Sequence, residues 1–153
     1  MVLRNEIYQF MSTVKPFFGR EKELKILTRI KERKTASLVV VRGRRRIGKS
    51  SLIKKFASKY KFFHFEGIAP SSTTTMQNQL DVFSNQLSEQ TNLPKVIFKD
   101  WLDALRLLWD KSKEGNLVIL FDEISWMGSK DSEFLGKLKY AWDNYFCNNP
   151  RLM

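Results

Sequence analysis

The chain has 153 residues, 42% hydrophobic and 28% charged, the size and balance of one globular domain rather than a disordered or fibrous chain. No apolar run approaches the ~18 residues of a membrane helix, and the charged start, Met1 to Tyr8, lacks the apolar stretch of a secretory signal, so a cytoplasmic protein with no membrane partner is expected. Twenty-seven Lys and Arg against sixteen Asp and Glu leave +11, an excess that suits nucleotides or nucleic acid and equally suits plain solvated helix faces.

Residues 1–15 read as a loosely tied, flexible arm, and residues 16–153 as part of one domain. Phe17-Phe18-Gly19-Arg20 leads into a helix in which Leu24, Leu27 and Ile30 recur at helical spacing. Ser37 to Val41 is a short β-branched run that predicts a strand buried on both faces. The loop Gly43 to Ser50 follows, then a helix marked by Leu52, Ile53, Phe56 and Tyr60. Phe62-Phe63-His64-Phe65 predicts the next strand. His64 is the single histidine and has no Cys or His cluster around it, which argues against zinc. Ser71 to Thr75 offers caps for a helix carrying Leu80, Phe83 and Leu87, and Asn92-Leu93-Pro94 breaks it. Trp101, Leu105, Leu108 and Trp109 mark another helix. Gly115-Asn116 then turns the chain into Leu117 to Phe121, an apolar strand with Asp122-Glu123 at its carboxyl end. A last helix shows Phe134, Leu138, Ala141, Trp142 and Tyr145 on one face. Cys147, the single cysteine, excludes an intrachain disulfide and fits a reducing compartment.

Strands alternating with helices imply an α/β fold with a parallel sheet. Ligands in such sheets bind beyond the carboxyl ends of the strands. Both chemically marked segments, Gly43 to Ser50 and Asp122-Glu123, stand at such ends.

Gly43-Arg44-Arg45-Arg46-Ile47-Gly48-Lys49-Ser50 matches the phosphate-loop pattern G-x-x-x-x-G-K-[ST] without departure. Glycines let the backbone curl until its N–H groups converge on an anion. The positive end of the following helix adds to the attraction. Lys49 is expected to reach the β- and γ-phosphates, and Ser50 to offer its hydroxyl to Mg²⁺, with Ser51 completing the phosphate-binding stretch. Arg44 to Arg46 are variable positions with outward side chains. The alternative is a basic turn that holds nucleic-acid phosphates. Asp122 is expected to hold Mg²⁺ and Glu123 to orient or deprotonate the attacking water, because phosphoryl transfer needs mainly positioning and charge stabilisation. An acidic turn ending a buried strand would look the same.

Together, Phe18-Gly19-Arg20-Glu21-x-Glu23-Leu24, Val41-Arg42-Gly43-Arg44-Arg45-Arg46-Ile47-Gly48-Lys49-Ser50-Ser51-Leu52 and Phe121-Asp122-Glu123-Ile124 resemble the archaeal-type ATPases, an AAA+-like branch of the P-loop proteins near the STAND signalling ATPases. Trp142 to Phe146 resembles the segment before their next core strand. The resemblance implies a three-layer αβα P-loop NTPase fold, with ATP and Mg²⁺ as ligands and self-association or DNA as further partners. It implies that Phe18, Gly19 and Arg20 lie near the adenine or ribose, a stretch that otherwise reads as a loop packing on the core. It also implies a further strand, a sensor residue and a helical lid beyond Met153, so that the sheet within these residues is expected to be incomplete. Three functions stay open: an active ATPase, a nucleotide-dependent switch with slow turnover, and a basic nucleic-acid-binding protein.

Overall fold

The computed structural model describes residues 19–153. The expected arm at 1–15, with Phe17 and Phe18, lies outside them. Helix α1 (Glu21–Lys31) carries Glu21 and Glu23 in its first turn and Arg29 and Lys31 in its last, the arrangement that the helix dipole favours. Helix α2 (Lys49–Ala57) buries Leu52, Ile53, Phe56 and Ala57. Tyr60 lies beyond its end, in a turn closed by the Tyr60 N–H donating to the Ala57 carbonyl at 2.9 Å.

Strand β1 (Lys61–Glu66) precedes the long helix α3 (Met76–Thr91), which opens with a capping box between Thr75 and Asn78. Its C-cap is Asn92, in the left-handed conformation (φ 56°). Helix α4 (Trp101–Ser112) is capped by the Asp100 side chain, which accepts from the Leu102 N–H. Strand β2 (Leu117–Asp122) follows, then the one-turn helix α5 (Ile124–Met127), unanticipated from the sequence, and α6 (Phe134–Asn144), which Tyr145 follows rather than joins.

The two strands pair in parallel, with Phe63 opposite Ile119 and Phe65 opposite Phe121. Alternation sends Phe63, Phe65, Leu117, Ile119 and Phe121 to one face, where α3, α4 and α6 bury Phe83, Trp101, Leu108 and Phe134 with them. Phe62, Val118 and Leu120 go to the other face, with Leu27 of α1 and Leu52, Ile53 and Phe56 of α2. Helices therefore cover both faces of a sheet only two strands wide among the described residues. Both faces being covered explains why the strands read as continuous apolar runs.

The free edge of β1 is closed by side chains. Gln90 donates to the His64 carbonyl at 2.9 Å and accepts from its N–H at 2.7 Å. Gln86 makes the same pair with Glu66 at 3.1 and 3.0 Å, and Gln79 with Ile68 at 2.8 and 3.1 Å. Three primary amides on one side of α3 thus take the place of a neighbouring strand.

The expected strand at 37–41 is not formed; this stretch has no regular secondary structure, with Leu38 64% and Val40 69% exposed. Its link to the sheet is the Ser37 N–H donating to the Leu152 carbonyl at 3.0 Å. Leu152 in turn makes a lone parallel bridge to Leu117. The Ile119 N–H donates to the Met153 carbonyl at 2.8 Å, so residues 151–153 start a second ladder, on the other side of β2. Beyond that start, a groove of about 810 Å³ separates 37–43 from β2 and reaches α6 at Leu135, Leu138 and Trp142. A β-branched run cannot stand as a strand without a partner for its N–H and C=O groups, and with the groove between it and β2 the run at 37–41 is neither a strand nor buried on both faces.

Lys137 of α6 lies 2.6 Å from Asp100, 2.9 Å from Asp131 and 3.5 Å from Glu133. Hydrogen bonds to Asp100 and Asp131 raise its pKa. Burial would lift the Asp100 carboxyl, but the bonds from Lys137 and the Leu102 N–H outweigh it and hold it below the ordinary value.

Candidate functional site

The glycine loop runs directly into α2, whose N-cap is Gly48 at φ 84° and ψ 27°. A side chain is strained in that left-handed region, which is why the motif keeps glycine there. Arg46, two residues earlier, is also left-handed (φ 61°). The Lys49 ammonium donates to the carbonyls of Gly43 at 3.1 Å and Arg44 at 2.9 Å. Its charge is thereby held at the mouth of the loop.

Asp122 is the last residue of β2, and its Oδ1 accepts from the Glu123 N–H at 3.2 Å. Glu123 is left-handed (φ 50°, ψ 47°) and its side chain makes no cap to α5. A non-glycine residue held there stores on the order of 1–3 kcal/mol, and such strain concentrates at functional sites.

One cleft of about 350 Å³ is lined by Arg45, Arg46, Gly48, Lys49, Ser50, Ser51, Asp122 and Glu123. The fold thus brings together loop residues and acids that are far apart in sequence. Gly43 faces the larger groove instead. Arg44 and Ile47 are exposed and do not line the cleft.

Arg20 donates from its guanidinium to the Ile47 carbonyl, so it braces the loop backbone. Gly19 is exposed beside it (φ 79°). Phe18 lies outside the described residues. Arg45, read from sequence as one of three outward arginines, has its guanidinium 5.0 Å from the centre of the Trp126 ring, a cation–π contact between the loop and α5.

Sequence reasoning missed His64. Its Nε2 lies 3.7 Å from Asp122 Oδ2 and is buried without a hydrogen-bond partner. Burial, then the charge of Lys54, lowers its pKa against the opposing pull of Asp122 and Glu66. The signal was available in principle: a polar residue two positions before the end of a strand comes close to the acid ending its parallel neighbour. Among the described residues, no group of three or more His, Cys, Asp or Glu is arranged to hold a metal ion. No helix there is long and apolar enough to cross a membrane.

A family model of ATPase domains predominantly from Archaea matches residues 17–147. An uncharacterized ATP-binding protein of Methanocaldococcus jannaschii is 44% identical over 45 residues, a stretch that is 29% of this chain and 76% of that protein. No solved structure matches the chain.

Proposed function

Because the chain belongs to the family of ATPase domains found predominantly in Archaea, we propose that it binds ATP with Mg²⁺ in the cleft between the glycine loop and Asp122-Glu123, and hydrolyses it there. The observation that carries this reading is convergence: Gly48, Lys49, Ser50 and Ser51 line the same cleft as the two acids. The relative's name adds ATP as the nucleotide.

In this reading Lys49 exchanges its two carbonyl partners for phosphate oxygens, replacing neutral acceptors with charged ones. Arg45 and Arg46 line the cleft and add positive charge around the phosphates, while Gly43, Arg44 and Ile47 complete the loop's curl. Ser50 and Asp122 are hard oxygen donors of the kind Mg²⁺ takes from a protein when phosphates and waters supply the rest. When bound, Mg²⁺ neutralises charge on the transferring phosphoryl group. Glu123 orients or deprotonates the attacking water. Arg20, bonded to the Ile47 carbonyl of the loop, borders the adenine or ribose in this reading, with Gly19 beside it.

The AAA+-like architecture belongs to the same proposal. A three-layer αβα fold results if one extended segment fills the groove between residues 37–41 and β2. The ladder begun by residues 151–153 on β2, with Ser37 bonded to Leu152 on its other side, supports it.

Titration calorimetry of ATP with and without Mg²⁺, repeated on Lys49→Ala, tests the reading. Saturable binding that the substitution abolishes is expected, with single-turnover hydrolysis separating a steady ATPase from a slow switch. A folded chain that binds no ATP, or binds it equally well without Lys49, would overturn it.

A further inference from the structure

The positive charge of this chain is segregated. Residues 20–61 carry sixteen Lys and Arg against three Glu, whereas residues 62–153 carry nine against twelve Asp and Glu. The basic stretch comprises α1, the glycine loop and α2, which pack together through Leu27, Leu52, Ile53 and Phe56. Thirteen of its cations are exposed. None of the sixteen forms an ion pair with a carboxylate among the described residues, where the acids pair with His64, Lys113, Lys137 and Lys139.

Within α1, Lys22, Lys25 and Arg29 follow one another at i, i+3 and i+7, a single outward stripe about 10 Å long at 1.5 Å per residue. Arg33 continues it past the helix end. Lys54, Lys55 and Lys59 extend the charge across α2 and its exit.

We propose that this lobe binds the phosphate backbone of nucleic acid, without reading base sequence. The charges span three segments, and Lys22, Lys25, Arg29, Lys54, Lys55 and Lys59 line neither the nucleotide cleft nor the large groove, which matches a repeating anion such as duplex DNA, with one phosphate per ~1.7 Å of axis. An anionic lipid surface suits the lobe less, because the apolar face an interfacial helix would insert is already used: Leu27 of α1 is buried against α2.

Fluorescence anisotropy with a short labelled duplex DNA, titrated across salt concentration, tests the proposal. The wild-type chain is expected to bind with a slope of log K against log salt of about −3 or steeper. A variant carrying Lys22→Gln, Lys25→Gln, Arg29→Gln and Lys55→Gln, all outside the ATP cleft, is expected to lose about tenfold or more in affinity, with a shallower slope. Circular dichroism and an ATP titration on the same variant keep folding and nucleotide binding separate from the result. Binding that the four substitutions leave unchanged overturns the proposal. So does no binding at low salt, or equal affinity for polyglutamate or for vesicles of anionic lipid.

Discussion

At the scale of single residues, the site combines positions set by chemistry with positions set by the fold. Glu123 belongs to both groups: it stands beside Asp122 and is held left-handed at φ 50°. Glu123→Gln keeps the shape and removes the proposed base, so ATP binding is expected to survive while single-turnover hydrolysis falls ~100-fold or more. An unchanged hydrolysis rate would remove Glu123 from the reaction. Gly48→Ala forces a Cβ into φ 84°, with an expected cost of about 1–2 kcal/mol in urea denaturation, alongside weaker ATP binding. The loop and the acid pair stood out in the sequence by residue type and spacing, and the structure brings them to one cleft. The contacts of Arg20 with the Ile47 carbonyl, Arg45 with Trp126 and His64 with Asp122 did not stand out there. Each depends on where two separate segments meet: for His64 and Asp122 that follows once β1 and β2 are paired in parallel, and for the other two no local pattern encodes it.

At the scale of elements, helices were legible wherever an apolar stripe met a cap, as in α3 with Thr75 and α4 with Asp100. The run at 37–41 shows the limit: its apolar character is a local property, whereas being a strand requires a partner. The Asp100–Lys137 pair ties the start of α4 to α6 at 2.6 Å. The Asp100 carboxyl is held below its ordinary value, so the folded chain binds its proton less readily than the unfolded chain. Its stabilisation is therefore present above the unfolded carboxyl's pKa of ~3.9 and is lost as pH falls through the folded value. Asp100→Asn is expected to cost under ~1 kcal/mol at neutral pH and to flatten the acid side of the stability curve, in denaturant titrations from neutral to strongly acid pH. A variant whose acid limb matches wild type would contradict this. Along β1, Gln79 is buried and Gln86 is not. Gln79→Leu, which strips both partners from Ile68, is expected to cost about 1–3 kcal/mol, and Gln86→Leu less, with faster amide exchange at Ile68 and Glu66 respectively.

At the scale of the whole molecule, composition foretold a charge excess but not its confinement to α1, the loop and α2, which requires knowing that these segments pack together. Cations crowded on one lobe, with no carboxylate partner among the described residues, repel each other, so raising ionic strength is expected to raise the melting temperature by a few degrees. A melting temperature that salt leaves unchanged would indicate that the charges are too dispersed to interact. The sheet is likewise lopsided: among the described residues the far side of β2 is paired only at Leu117 and Ile119, by residues 151–153, whereas β1 is closed by Gln79, Gln86 and Gln90. That closure has a kinetic meaning. A newly collapsed strand with bare N–H and C=O groups invites pairing with other chains until something covers it. Here the cover belongs to the next element in the chain, with sequence separations of only 11, 20 and 26 residues between the bonded partners. Contacts so local form early in folding, and during synthesis α3 emerges directly behind the strand it shields. The interval in which β1 can recruit a stranger is therefore limited by the arrival of its own neighbour.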